Sequence, residues 1–113
     1  MDKLEIYLKD SLGDRFCYPS DAYQFILDAL QYTLKSLDHS RHVSAKELLN
    51  GIREYAIKSF GPMTRSVFEH WKIKSCEDFG IIVFHLVDAR LIAKQESDKR
   101  QDFKEVYDFS EVF

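Results

Sequence analysis

Residues 79–89 constrain the fold more than any other stretch. Phe79, Ile81, Ile82, Val83, Phe84, Leu86, Val87 and Ala89 leave almost no polar side to this run. A helix that is apolar nearly all round belongs in the middle of a domain, because none of its faces can be turned to water without cost. The β-branched Ile81, Ile82 and Val83 favour a strand locally, but the run is longer than a typical strand and is preceded by a helix start. Ser75 can cap a helix and Asp78, three residues on, can reach back to complete a capping box. Glu77 and Asp78 sit where the positive end of the helix dipole favours carboxylates. The sequence therefore predicts a buried helix here, with Gly80 at a close approach of another element.

A shorter helix is predicted just before it. Gly61 can end one helix and Pro62 can open the next, since proline lacks an N–H that the first turn does not need. Met63, Val67 and Trp71 recur at four-residue spacing with Phe68 beside them, and Thr64, Arg65, Glu69 and Lys72 fall on the other side. Residues 61–91 thus form a helix-turn-helix-like central unit. After it come LIAK, the polar QESDKRQ and then DFKEVYDF, two short segments able to pair as a small β-hairpin. Two helices followed by a hairpin give a winged-helix-like order.

Upstream, Leu4, Leu8 and Leu12, with Ile6 and Tyr7, mark a first helix ending at Gly13. Pro19 and Ser20 start a second helix. Asp21, Gln24, Asp28, Gln31 and Lys35 form a narrow polar stripe along it, so this helix touches neighbours on two sides. Ser44 and Glu47 make a capping box for a third helix, with Val43 placed to staple onto Leu48. Leu48, Leu49, Ile52, Tyr55, Ala56 and Phe60 supply its apolar face, and Gly51 suggests close helix contact. The expected architecture is a single, mainly α domain of about five helices over 1–113, closed by the hairpin.

Composition narrows the class. Hydrophobic residues make up 45% and charged residues 31% of 113, as in ordinary soluble globular proteins. No apolar run approaches the roughly 18 residues that span a bilayer. Asp2 and Glu5 interrupt the apolar N-terminal positions, which does not fit a signal peptide. Cys17 and Cys76 lie far apart, with no metal or redox spacing, and are expected to be reduced core or half-buried thiols of a cytoplasmic protein. Net charge is −3, which argues against a general nucleic-acid binder. Residues 41–74, however, carry seven basic and three acidic groups between acidic flanks. Lys46, Arg53, Arg65, Lys72 and Lys74 are therefore the candidate nucleic-acid contacts.

Several phrases resemble a family of short bacterial proteins to which no activity is assigned. They are YPSDAYQFILDAL at 18–30, HVSAKELLNGIREYAIKSFGPM at 42–63, DFGIIVFHLVD at 78–88 and DFKEVYDFSEVF at 102–113. This chain departs from the family pattern at Ala45, where that pattern has glycine, and near Ala89 and Arg90, where it has a Gly-Leu type pair. The resemblance implies a bacterial, cytoplasmic setting and supplies no catalytic residue.

Catalytic and metal chemistry find little support. His39 and His42 form an H-x2-H pair with no third ligand indicated nearby. Cys76 near a helix N-terminus, with His70 and Glu69 close in sequence, could form an activated thiol, yet nothing marks an oxyanion hole or a second orienting group. Asp78, Phe79 and Gly80 spell the metal-binding tripeptide of protein kinases without any accompanying motif. No cofactor or metal is expected. We expect a non-enzymatic protein–protein interaction module whose C-terminal rings, Phe103, Tyr107, Phe109 and Phe113, pack back on the domain or dock a partner. The alternative is a winged-helix-like nucleic-acid-binding or regulatory protein using the basic 41–74 segment.

Overall fold

A computed structural model of the chain describes residues 2–36, 43–92, 107 and 109–113. Its order is α1 (Lys3–Leu12), α2 (Ser20–Ser36), α3 (Ala45–Phe60), α4 (Thr64–His70), α5 (Cys76–Asp88) and a one-turn α6 (Phe109–Val112). Short 3-10 turns, Gly13–Arg15 and Gly61–Met63, follow α1 and α3. The protein is mainly helical.

The capping signals act where the sequence puts them. Asp2 caps α1 through Glu5, and Ser44 and Glu47 exchange both bonds of a capping box on α3. At α5 the Asp78 carboxylate accepts the backbone N–H groups of Lys74 (2.7 Å) and Ser75 (3.2 Å). Gly13 and Gly61 end α1 and α3 at φ values of 56° and 55°, a conformation glycine adopts without the Cβ clash.

Two helices share the centre. α5 buries Cys76, Phe79, Gly80, Ile82, Val83 and Leu86. The other is α2, which packs against α1, α3 and α5 and buries Ala22, Tyr23, Phe25, Ile26, Ala29 and Thr33. Its tightest approach is to α3, where Gly51 faces Thr33. A Cβ on Gly51 would overlap the Thr33 hydroxyl, so the missing side chain is what lets the two backbones come together. The Thr33 hydroxyl is itself satisfied, donating to the Ala29 carbonyl at 2.7 Å.

Three expectations change. First, α4 buries Thr64 and Phe68, while Met63 is 62% exposed. Residues 61–63 form a separate 3-10 turn, which advances about 120° per residue against 100° for an α-helix, so Met63 does not share the α4 face. Thr64 is welcome inside because its hydroxyl reaches the carbonyls of Gly61 (2.6 Å) and Ala56 (3.3 Å) at the end of α3. Second, the hairpin is not supported. No strand occurs among the described residues, Phe109–Val112 is helical, and 93–106 lie outside the described residues. The four-residue spacing of Phe109 and Phe113 brings both rings to one side of that turn. α4 and α5 follow one another in the chain as two helices joined by the turn at residues 71–75. Third, Cys17 is exposed, while Cys76 is buried as expected.

Candidate interaction surface

The C-terminal residues lie on the domain. Phe109 packs against Phe68 (5.9 Å between ring centroids) and Phe79 (5.5 Å). Phe113 meets Phe68 edge-on at 5.1 Å. The Tyr107 hydroxyl donates to the Leu49 carbonyl at 2.8 Å, and its own carbonyl accepts from Cys76 Sγ at 3.5 Å. Phe103 lies outside the described residues.

These three rings close an aromatic belt. From Tyr32 on α2 it passes through Tyr55, Phe25, Phe60, Trp71 and Phe68 to Phe79 and the tail, each ring within 6.5 Å of the next. Phe25, Phe68 and Phe79 are buried and form its floor. Tyr32, Tyr55, Phe60, Trp71, Tyr107, Phe109 and Phe113 are half-buried, so each keeps an edge toward the surface. Composition shows the number of rings, but not which edges stay accessible. Trp71 and Phe60 were legible as core-facing positions and not as part of a surface.

The five predicted cations are all exposed. Lys46 and Arg53, seven residues apart, share one face of α3, Arg65 sits on α4, and Lys72 and Lys74 occupy the turn before α5. None of them enters an ion pair among the described residues. Arg53 also helps line an open groove of about 640 Å³ along α3, together with Asn50, Glu54, Ile57 and Lys58. Arg53 joins the basic set to the aromatic one, since its charge opposes the effect of burial on Tyr107, whose phenol is nonetheless pushed well above the usual range.

The residues weighed for chemistry stand apart. Cys76 is 1% exposed, whereas His70 is exposed at the end of α4. Cys17 is held above its ordinary pKa, first by partial burial and then by the Asp78 carboxylate, so it is not an activated thiolate. His39 and His42 lie outside the described residues, and no group of three or more metal-ligating side chains occurs among the described ones.

A second polar feature escaped the sequence. Tyr18 donates to Asp78 at 2.6 Å, and the Tyr23 hydroxyl lies 2.9 Å from His85 Nδ1, with the two rings stacked. Both pairs join residues about sixty apart in the chain, beyond the reach of local pattern. They tie the connection before α2, and α2 itself, to α5. No described helix is long and apolar enough to cross a membrane. No family model matches this chain, and neither a curated protein nor a solved structure does.

Proposed function

We propose that this chain is a non-enzymatic protein-interaction module, acting in a bacterial cytoplasm and docking through its half-exposed aromatic belt. The observation that carries the proposal is the run of seven partly accessible rings over a floor of three buried ones. Aromatic side chains make effective anchors because each buries a large apolar area with few rotatable bonds, and they are enriched at the centres of protein interfaces. The tail contributes Tyr107, Phe109 and Phe113 to that belt, and Phe103 is their neighbour in sequence.

The test is affinity capture from the native cell, with and without nuclease, using the wild-type chain and a Trp71→Ala variant whose far-ultraviolet circular dichroism is native. A protein captured by the wild type, resistant to nuclease and lost in the variant, is the expected result. Capture that is equal for both chains removes the belt as the docking surface.

The five exposed cations, none in an ion pair among the described residues, support a second reading, a nucleic-acid-binding or regulatory protein using the basic 41–74 segment. In helix-turn-helix proteins the second helix enters the major groove. Here that helix is largely buried, and its exposed side chains include Glu77 and Asp88, which repel phosphate. Docking would therefore run through Lys46, Arg53, Arg65, Lys72 and Lys74. Affinity for duplex DNA should then fall steeply with added salt and fall further in Arg53→Gln and Lys72→Gln variants. No binding at low salt excludes this alternative.

A further inference from the structure

We propose that the C-terminal segment 107–113 is a displaceable plug: it fills, in cis, a groove between α3, α4 and α5 that accepts an aromatic, one-turn helical segment of a partner in trans. The proposal deepens the interaction-module reading by naming the segment that recognises and the groove that receives it.

The segment is attached in a particular way. Its rings lie on Phe68 and Phe79, and its two described hydrogen bonds run to the Leu49 carbonyl and from the Cys76 thiol. None of the four partners belongs to α6, and the capping boxes that start α3 and α5 are made by other residues, Ser44 with Glu47 and Ser75 with Asp78. Phe109 and Phe113 are four residues apart on one helical turn, so they project to the same side, and Tyr107 stacks on Phe109 at 6.1 Å. Tyr107, Phe109 and Phe113 are all half-buried, whereas the groove floor beneath them is buried. Fourteen residues, 93–106, lie between Ile92 and this segment in the sequence. A contact set confined to one short segment can open without the rest of the fold, in the manner of sub-global unfolding units.

The structure supplies its own reporter. Cys76 is 1% exposed, with its thiol on the Tyr107 carbonyl, while Cys17 is exposed far from the plug in sequence. Labelling of both thiols by a small alkylating reagent, resolved by mass spectrometry on the full chain, reads plug opening at Cys76 against an internal control at Cys17. The expected result in wild type is Cys76 labelling that is at least tenfold faster than global unfolding allows and nearly independent of urea at low concentration. Tyr107→Phe, which removes only the bond to Leu49, should speed Cys76 labelling several-fold and leave Cys17 unchanged. In a full-length Phe109→Ala/Phe113→Ala variant that retains native circular dichroism, the heptapeptide of sequence YDFSEVF should slow Cys76 labelling at least tenfold. Cys76 labelling that tracks global unfolding in both the wild type and Tyr107→Phe overturns the plug. A heptapeptide that gives no protection to the ring variant overturns the groove as a site for segments in trans. Neither measurement depends on capturing a partner, so failure here is distinct from failure of the aromatic belt.

Discussion

A Cβ built on Gly51 would overlap Thr33 Oγ1 and lie 2.9 Å from Thr33 Cβ. An alanine at a helix-interior glycine ordinarily gains up to about 1 kcal/mol. Here overpacking reverses the sign, and Gly51→Ala should cost about 1–3 kcal/mol in denaturant unfolding. Adding Thr33→Ala to that variant removes the hydroxyl and methyl overlaps but keeps the Cβ contact at 2.9 Å, so it should recover part of the loss; no recovery at all would show that the hydroxyl and methyl of Thr33 are not what the added Cβ meets. Sequence alone marks Gly51 as a contact, but the partner is eighteen residues earlier, on another helix, and only packing identifies it. Burial also governs Tyr18, Tyr23 and Tyr107, each with its phenol pushed above the usual range. A raised folded value favours the protonated folded state, so this contribution is complete below the unfolded pKa of about 10 and fades as pH rises beyond it. Thermal melts should hold steady from about pH 8 to 9.5 and then decline as the unfolded state gains the ionised forms of Tyr18, Tyr23 and Tyr107. Tyr107→Phe should make that decline shallower.

At the scale of elements, α5 was legible in three respects: its start at the Ser75 and Asp78 pair, its apolar circumference and its burial. Val83 is 6% exposed on that helix. Val83→Asp buries a carboxylate with no partner of opposite charge in a core cluster of apolar residues, and should prevent folding. A soluble variant that melts cooperatively would refute that placement. The α4 face was misread because a 3-10 turn of three residues shifts the angular register, and no periodic count can anticipate where that turn ends. The hairpin found no support because a polar segment between two apolar-bearing ones is compatible with many connections, and the described end of the second segment, Phe109–Val112, is helical. The ends of α4 and α5 carry a further cost. Lys72 and Arg90 stand at φ values of 65° and 62°, just past each helix, where glycine is usual. Lys72→Gly should raise stability by about 1 kcal/mol, seen as a higher denaturant midpoint at unchanged slope. If Lys72 contacts nucleic acid, the same substitution weakens duplex binding while strengthening the fold.

Across the whole molecule, the sequence located the principal helices and the aromatic tail, but not the way the tail is seated. Alternation and helical spacing are both imperfect over 102–113, so the choice between packing inward and docking outward depends on Phe68, Phe79 and Leu49, which are remote in the chain. Phe109→Ala/Phe113→Ala should cost about 2–5 kcal/mol in urea unfolding, since two partly buried rings that pack against the core cluster are lost. Unchanged stability would mean that the tail does not rest there in solution. The long-range bonds have a consequence for biogenesis. Tyr7 donates to the Ala89 carbonyl, Arg15 pairs with Asp88, Tyr18 binds Asp78 and Tyr23 meets His85. Each joins one of the first segments to α5 or to its capping residue Ala89. During synthesis, α1 and α2 emerge from the ribosome well before the helix that covers them, with Leu8, Leu12 and Tyr23 lacking their native cover. The nascent chain must therefore travel through a period of exposed apolar surface, and its cooperative closure is an event that follows the translation of α5, not one that grows from the amino end.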